Sequence, residues 1–476
     1  MCFLTSCDYH EGSVEVYLVR SPLVSEDPLD PSLVSHLRIS ISGSGIDPAV
    51  EVFEFNKGES STLFDIPSGK DVVITVEALA SEDGYAVSRG RSLPLMITGD
   101  IDPVEIFIAR VGRFSMTPGY GLSRARFLHA SAVAYDGRLF IIGGAAGGTP
   151  DAASSLLRSV EVFSPTDGRT EYTDCSGSEP FCLQKPRAGA AAVNVEKGFL
   201  LLGGEIDTGL TDDIDFLNEA TGELEERDEN GLKRKGPLVL SHTEYALVAG
   251  GTGADGKAVD KAELVTIEGE ITVVNMPDAR RELTGSVSGD TGFIFGGYGK
   301  NDALVKGFVL FDFEQKEFSL HSTKCRPRAH ASSVTLADGR VLVAGGLDEN
   351  GEASGDVDLF EPSLGILCHL GSMQRARWRA SVAALKDGRV LITGGLVDES
   401  TPTAEAEILD PRYLTPSGGC RYTSGVLTSV SVPGMRVRRY GATALVLGNG
   451  AVAVVGGLDH NGMPVKQIEY FVPEEK

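Results

Sequence analysis

The sequence predicts an all-β protein, in which an N-terminal antiparallel β-sandwich is followed by a seven-bladed β-propeller. Three observations predict it. Residues 13–111 contain short apolar runs that alternate as β-strands do, and a Gly-Gly pair then closes an apolar run seven times. The first glycines of these pairs lie 60, 47, 46, 49, 49 and 62 residues apart, a mean period of about 52. Asp-Gly or Asn-Gly turns precede four of the pairs.

Length and charge limit the classes of partner. A chain of 476 residues is too long for one ordinary core, so two or more domains are expected. The formal net charge is −24, and residues 1–110 alone carry 18 acidic and 7 basic side chains. An acidic surface repels phosphate backbones and anionic headgroups. We therefore expect the protein to bind no nucleic acid and to meet a membrane only through a lipid anchor. A monomer is also expected.

The N-terminus carries a possible anchoring signal. Leu4-Thr5-Ser6-Cys7 resembles the lipobox of bacterial lipoproteins, in which the peptide is cut before an acylated Cys. Only six residues precede Cys7, with no charged segment and no full apolar segment, so the signal peptide is expected upstream of Met1. Residues 1–12 are interpreted as lipobox remnant and tether, with lipidation at Cys7. The alternative is an ordinary N-terminal thiol.

Residues 13–111 are predicted to form the β-sandwich. About seven short strands in a hundred residues are typical of such a domain, and SVEVYLV (13–19), HLRISIS (36–42) and KDVVITVEA (70–78) are clear examples. By pattern, the region resembles the immunoglobulin-like or transthyretin-like modules of bacterial surface proteins. The resemblance implies a stalk or spacer.

Residues 112–476 are predicted to form the propeller. Each repeat unit closes an apolar strand with the glycine pair, and the pairs are Gly143-Gly144, Gly203-Gly204, Gly250-Gly251, Gly296-Gly297, Gly345-Gly346, Gly394-Gly395 and Gly456-Gly457. Type I′ hairpin turns are predicted at the Asp-Gly and Asn-Gly dipeptides. An Arg lies ten residues before the turn Asp or Asn in four units, at Arg126, Arg328, Arg377 and Arg439, with Arg187 close to this register. An acid lies within the strand that follows six of the seven pairs, at Glu161, Asp215, Glu263, Asp358, Glu407 and Glu469.

Together, the glycine pair, the DGR turn, the upstream Arg and the acidic run resemble kelch repeats of the bacterial type. The resemblance implies four-stranded blades. Unit three is interpreted as having lost the Arg and the turn, and unit four lacks the acid. Because unit seven ends after its third strand, residues 112–118 are predicted to supply its fourth and to close the ring.

The repeated Arg and acid residues are predicted to be structural. A catalytic group is needed once, whereas a packing device is needed in every blade, and the planar guanidinium suits bidentate pairing with a carboxylate. No catalytic residue is assigned, and the sequence contains neither a P-loop nor a nucleophile elbow.

No metal or cofactor is assigned either. The propeller resembles that of galactose oxidase, whose copper would need converging His and Tyr ligands, but none of the eight histidines has a ligand spacing. Trp378 is the only tryptophan. It is a candidate for binding a sugar ring or a partner, and interblade packing is the alternative.

The cysteines fit an oxidising compartment. Cys175 and Cys182 bracket a short loop and form a candidate disulfide. Cys325, Cys368 and Cys420 are an odd set whose pairing the sequence leaves open.

These observations predict a non-enzymatic binding or scaffold protein of the bacterial cell envelope. Its partner, a protein or a glycan, is expected on the propeller face that carries the long loops, with the central opening as second choice. The alternative is a carbohydrate-active enzyme with a central pocket, which a carboxylate of raised pKa would favour. The long loops are 145–158, 175–186, 226–236 and 414–435.

Overall fold

The computed structural model describes residues 11–475, apart from 45, 56–60, 68, 99–101, 151, 178, 228–230, 413, 417–419, 421 and 425–426. The described chain is almost entirely β-structure, which confirms the all-β prediction. Its helical segments are two single 3₁₀ turns, Val24–Glu26 and Pro118–Tyr120. Among the described residues, no helix is long and apolar enough to cross a membrane.

Residues 11–110 form two sheets. The smaller has the strand order Ser61–Pro67, Glu11–Val19, Val104–Phe107, and its last two strands run parallel. The larger has the order Ala49–Glu54, His36–Ser44, Gly69–Leu79, Ala86–Arg91, Ala109–Arg110, and Leu95–Ile97 also pairs with Gly69–Leu79.

The two N-terminal sheets share one apolar core. Val16 and Ile106 of the smaller sheet contact a cluster that includes Ile39, Ile74 and Val76 of the larger. These residues are buried because side chains alternate between the two faces of a strand, and one face of each sheet turns inward. The same alternation produced the period-two pattern in the sequence.

The described residues after 110 form seven four-stranded antiparallel sheets, numbered here sheets 1 to 7. Their strands, in the order in which they pair, are Ala130–Val133, Leu139–Ile142, Val160–Phe163 and Thr170–Tyr172; Ala191–Val195, Gly198–Leu202, Ile214–Asn218 and Leu224–Glu226; Leu238–Ser241, Tyr245–Ala249, Val259–Thr266 and Ile271–Arg280; Thr284–Ser288, Thr291–Phe295, Phe308–Asp312 and Glu317–His321; Ser332–Thr335, Val341–Ala344, Asp356–Glu361 and Ile366–Ser372; Ser381–Ala384, Val390–Thr393, Ala406–Asp410 and Thr428–Val432; Thr443–Val446, Val452–Val455, Glu469–Phe471 and Phe114–Met116.

Short two-stranded sheets lie in the segments that lead into or connect these strands. They are Ala145–Gly148 with Ala153–Leu156, Glu205–Ile206 with Gly209–Leu210, Arg234–Lys235 with Thr252–Gly253, and Thr415–Pro416 with Tyr422–Ser424.

The second strand of each sheet is buried on both faces. Leu139–Ile142, Val341–Ala344, Val390–Thr393 and Val452–Val455 contain no exposed residue. Each strand is covered because a neighbouring sheet packs on either side, which explains why it reads as a continuous apolar run rather than an alternating one.

Sheet 7 and sheet 1 pack against each other. Ala453 and Val455 of sheet 7 share a buried cluster with Leu139 and Ile141 of sheet 1. The outer strand of sheet 7, Phe114–Met116, precedes sheet 1 in the chain and pairs antiparallel with Glu469–Phe471. The beginning and the end of the repeat region therefore lie in one sheet.

The Asp-Gly turns differ from the predicted type I′ hairpins. Sheet 1 has a five-residue connection between Val133 and Leu139, and within it Gly137 N donates to Ala134 O at 3.0 Å. Gly137 has φ +88°, whereas Asp136 is not among the residues of positive φ. A type I′ turn needs positive φ at both central residues, so the prediction was wrong. A type I turn followed by a left-handed Gly uses the same dipeptide.

The N-terminal sheets cover part of the surface that carries these turns, called here the turn face. Leu93 N donates to Thr166 Oγ1 at 2.9 Å, and Asn449 Nδ2 donates to Arg91 O at 3.2 Å. A Cβ placed on Gly137 would lie 2.6 Å from Leu93 Cδ2. The opposite surface, called the pocket face, carries the connections that follow the glycine pairs.

Part of the loop 414–435 was assigned to the wrong face. Arg340, which belongs to an Asp-Gly-Arg turn, donates to Leu414 O at 3.0 Å and to Pro411 O at 3.2 Å. Pro411 and Leu414 therefore lie at the turn face. They follow the third strand of sheet 6, and this connection lies on the same side as the first turn of the sheet, because antiparallel strands reverse direction at each step.

Two disulfides are present among the described residues, which confirms the predicted use of disulfides. Cys175 pairs with Cys182, and Cys368 pairs with Cys420. The second bond resolves the odd set, because it leaves Cys325 as the free thiol in the described chain. Cys7 lies outside the described residues.

Candidate functional site

Seven buried arginines mark the start of the seven sheets. Each side chain lies 16 or 17 residues before the first Gly of its pair, and each residue is no more than 2% exposed. They are Arg126, Arg187, Arg234, Arg280, Arg328, Arg377 and Arg439. The interpretation that unit three has lost its arginine was therefore wrong. Counting from the turn placed Arg187 only close to the register and missed Arg234 and Arg280, because the first hairpins of sheets 2 to 4 have a different length.

The carboxylates of the third strands pair with these arginines. The Nη2–carboxylate distances are 2.7 Å for Arg187–Asp215, 2.8 Å for Arg328–Asp358, 3.0 Å for Arg377–Glu407 and 2.8 Å for Arg439–Glu469, and Arg126–Glu161 and Arg234–Glu263 form the same pair. In sheet 4 the third strand has Val309 at the equivalent position, opposite Ile294, and Arg280 pairs instead with Asp278 at 2.6 Å.

The carboxylates also bind the chain that enters the sheet. Ser123 N donates to Glu161 at 2.7 Å, and Gln374 N donates to Glu407 at 2.9 Å. The arginine in turn donates to the first Gly of its pair, as Arg126 Nη1 does to Gly143 O at 2.8 Å. One guanidinium thus joins the entering link, the second strand and the third strand. These contacts are those expected of a pair with the predicted structural role.

The glycine pairs connect each sheet to the next. In every pair both residues have positive φ, and the second N–H donates to the carbonyl of the following sheet's arginine, as Gly144 N does to Arg187 O at 2.8 Å. Gly457 N of sheet 7 donates to Arg126 O of sheet 1 at 3.1 Å, which completes the circuit. A Cβ on Gly143 would lie 2.5 Å from Arg187 O, so only glycine permits this approach.

Seven further residues, called the axial positions, lie two residues after the arginines. Each has positive φ, between 49° and 65°. Each also lines one cavity at the pocket face. In order of sheets, the axial positions are Leu128, Gly189, Gly236, Glu282, His330, Arg379 and Gly441.

Backbone hydrogen bonds link neighbouring axial positions. Gly189 N donates to Leu128 O at 2.7 Å, His330 N to Glu282 O at 3.0 Å, and Arg379 N to His330 O at 3.1 Å. The left-handed backbone is needed for this circular contact, and glycine satisfies it without strain at three positions. The other four positions carry side chains despite the cost of that conformation, and such strain is typical of functional sites.

The three ionisable axial residues form one cluster, called the axial triad, on sheets 4, 5 and 6. His330 Nδ1 lies 2.9 Å from Glu282 Oε2, and Arg379 Nε lies 3.2 Å from the same ring nitrogen. Arg379 Nη2 lies 3.8 Å from Glu282 Oε1. Burial by itself would raise the pKa of Glu282, but the hydrogen bond to His330 and the surrounding positive charge lower that pKa to about 2. Glu282 is therefore a carboxylate at neutral pH.

The shared ring nitrogen has two competing partners. If His330 Nδ1 carries a proton, it donates to Glu282 and cannot accept from Arg379. The lowered pKa of Glu282 fits that arrangement. The guanidinium then faces the cavity with its donors available.

The cavity is large and chemically divided. Its volume is about 1000 Å³. The axial triad lines one side, and Phe127, Leu128, Tyr440 and Leu458 form an apolar wall at the junction of sheets 7 and 1. Between them lies the ion pair of Lys235 Nζ and Glu205 Oε2, at 2.7 Å. Such a concave site, mostly preformed and with few polar groups, is suited to holding a ligand.

Trp378 lies beside the axial triad rather than in the cavity lining. Its ring centroid is 5.2 Å from that of His330, and the Arg379 guanidinium carbon is 5.2 Å from it. Trp378 Nε1 donates to Asp398 O at 3.1 Å. The indole orients two axial side chains, and direct ligand binding by Trp378 remains a prediction.

The axial triad was not found from the sequence. Glu282, His330 and Arg379 belong to no motif, and their relation appears only when each is counted from its buried arginine. Two of the three reference arginines, Arg328 and Arg377, were already identified in the sequence. One signal in the sequence could have revealed the axial triad. The position two residues after each buried arginine is glycine in three sheets but an ionisable residue in sheets 4, 5 and 6. In the part of the chain that the structure describes, His, Cys, Asp and Glu form no group that could hold a metal ion.

Comparison with known proteins supports the repeat assignment. The family model described as Kelch motif matches residues 126–169. That match and the repeated four-stranded sheets together support a kelch-type β-propeller. A solved structure titled "Structure of YjhT" is 12% identical, with a TM-score of 0.48, and the alignment covers 66% of this chain and all of that one. No curated protein matches the chain.

Proposed function

We propose that the chain is a non-enzymatic binding protein whose ligand occupies the axial cavity of a closed, seven-bladed kelch propeller. The N-terminal residues form a β-sandwich spacer in this proposal. The observation that carries it is the departure from repetition at the axial positions. Groups that hold the fold together recur in sheet after sheet, whereas Glu282, His330 and Arg379 occur once each and face one cavity.

The arrangement of the two faces supports the same proposal. The N-terminal sheets contact the turn face through Leu93 and Asn449, which leaves the pocket face open to solvent. Pro150, in the long connection that follows the first glycine pair, lines the cavity on this open side. Binding loops carried by a rigid scaffold are a common arrangement.

The electrostatics of the cavity favour binding over acid catalysis. A glycosidase acid must remain protonated near neutral pH, which requires a raised pKa. The axial carboxyl Glu282 has a pKa lowered to about 2. It can accept hydrogen bonds or bind a cation but is a poor proton donor.

We further propose that the protein works in the cell envelope, anchored through Cys7. Two disulfides support an oxidising compartment, because cytosolic thiols are kept reduced. Mass spectrometry of the protein from the native membrane fraction of its source cells tests the anchor. An unacylated Cys7 would exclude it.

The binding proposal is tested by ligand capture. The full chain is immobilised, incubated with envelope extract of the source cells, and washed, and bound species are identified by mass spectrometry. A variant with Glu282→Gly, His330→Gly and Arg379→Gly keeps the backbone conformation that glycine already has in sheets 2, 3 and 7. We expect the captured species to be lost from this variant.

A matched control removes charge elsewhere. Glu171→Gln, Glu225→Gln and Glu317→Gln alter exposed side chains of outer strands in three sheets. This control should capture as the wild type does. Equal capture by the axial variant and the wild type would contradict the proposal.

A further inference from the structure

Arg379 is the least satisfied cation of the cavity. Lys235 pairs with Glu205 at 2.7 Å, and Arg281 donates to Asp302 Oδ1 at 2.8 Å. Arg379 has its Nε directed at His330 Nδ1, and its nearest carboxylate oxygen, Glu282 Oε1, lies at 3.8 Å, beyond hydrogen-bond distance. Within the described chain, the two terminal nitrogens of Arg379 make no hydrogen bond.

The side chain is nevertheless held in place. The guanidinium stacks on Trp378, the adjacent Gly441 N donates to Arg379 O at 3.0 Å, and 20% of the side chain is exposed. A planar guanidinium fixed in this way presents two parallel N–H donors, which match the two oxygens of a carboxylate. Its order before binding reduces the entropy lost on binding.

The apolar wall defines the rest of the ligand. Tyr440 directly precedes Gly441, so the wall begins beside Arg379, and it continues through Leu458, Phe127 and Leu128. A ligand held by Arg379 therefore extends over apolar side chains. Burial of apolar surface contributes about 25 cal/mol per Å².

We propose that Arg379 binds the carboxylate of an organic acid whose apolar part contacts Phe127, Leu128, Tyr440 and Leu458. This inference rests on the proposed function and names its ligand class. His330 Nδ1 donates its proton to Glu282 and therefore does not accept from Arg379. The Arg379 guanidinium is then available to the ligand. Cationic ligands are disfavoured by the same guanidinium.

The test uses octanoate as the probe, with octanamide and octylamine as neutral and cationic analogues of equal chain length. Fluorescence of Trp378 reports binding, because it is the only tryptophan and its ring contacts the Arg379 guanidinium. We expect octanoate to bind about tenfold or more tightly than octanamide, since hydrogen bonds to charged groups are the stronger ones. Octylamine should bind no better than octanamide.

Two variants complete the test. Arg379→Gln should abolish the preference for octanoate over octanamide, while Arg375→Gln, which alters an exposed arginine of the same segment, should preserve it. Thermal melting confirms that each variant is folded. Equal affinity of the wild type for octanoate and octanamide, or no octanoate binding at all, would overturn the proposal without requiring any variant. If capture from extract still depends on the axial positions in that case, the proposed function stands and only the ligand class is wrong.

Discussion

Arg377 and Arg379 are two residues apart and have opposite roles. Arg377 has a side chain that is 1% exposed and is paired with Glu407, and an equivalent arginine begins each of the seven sheets. Arg379 has a side chain that is 20% exposed and stands where three sheets have glycine. In this fold, a residue that recurs in every sheet stabilises the sheet. A residue that differs from its equivalents in the other sheets is a candidate for a function that the molecule needs only once.

The backbone shows the same difference. Around the buried arginines, glycine pairs with positive φ allow each sheet to bond the next, and no pair deviates. The axial positions also have positive φ, but four of them carry side chains. Each of these four residues lowers the stability by about 1–2 kcal/mol, because a side chain disfavours the left-handed backbone. This cost brings no gain in packing, because glycine takes the same backbone conformation at the equivalent position of sheets 2, 3 and 7.

The largest effect is expected from Arg377→Ala. Its removal leaves Glu407 buried without its cation and frees Gly394 O and Glu405 O. Breaking a buried ion pair in this way costs about 3–5 kcal/mol. Denaturant unfolding should show that loss in the free energy of unfolding, while octanoate affinity of the folded fraction stays the same. A decrease in the free energy of unfolding of less than about 1 kcal/mol would contradict this prediction, because that is the size expected for a solvent-exposed ion pair.

His129 provides an intermediate effect, through pH. His129 lies three residues after the buried arginine of its sheet, where other sheets have alanine, as at Ala190 and Ala331. Neither nitrogen of its ring has a hydrogen-bond partner in the described chain. Burial, with the charge of Arg126, lowers the pKa of His129 to about 3. Between about pH 6.5 and 3, His129 is protonated in the unfolded chain but neutral in the folded chain. The free energy of unfolding therefore falls as the pH falls.

The expected loss for the wild type between pH 6.5 and 5 is up to about 2 kcal/mol from this one group. A His129→Gln variant should lose that part of its acid sensitivity when free energies of unfolding are compared at the two pH values. An unchanged pH dependence in the variant would show that His129 is protonated in the folded state.

The smallest effect on stability is expected from Arg379→Gly. The variant loses a stacking contact worth about 0.5–1 kcal/mol and gains relief of the left-handed backbone worth about 1–2 kcal/mol. The free energy of unfolding should therefore stay within about 1 kcal/mol of the wild type, while octanoate affinity is lost. A loss as large as that of Arg377→Ala would refute the division between the two arginines.

The repeated features were predictable from the sequence because they recur. The glycine pairs and the arginines of sheets 1, 5, 6 and 7 could be aligned by eye, and the kelch resemblance followed from them. Arg234 and Arg280 escaped because the hairpins that follow them do not have the common length, so spacing counted from the turn was wrong. The turn type was predicted wrongly because Asp-Gly fits both a type I′ turn and a type I turn followed by a left-handed glycine.

The candidate site was not predictable by the same procedure. Glu282, His330 and Arg379 are 48 and 49 residues apart in sequence and share no motif. The packing of neighbouring sheets brings Glu282 and Arg379 each within hydrogen-bond distance of His330. The Cys368–Cys420 bond was hidden for a similar reason, since it connects the fourth strand of sheet 5 to an insertion in sheet 6. Long-range contacts of this kind leave no local pattern.

A crystal structure of the full chain with its captured ligand is the most direct test of the account. The account predicts ligand density in the axial cavity, with an acidic group within about 3 Å of the Arg379 guanidinium, as charge-assisted hydrogen bonds require. Density on the outer strands, on the N-terminal sheets or at the turn face, with an empty axial cavity, would contradict it.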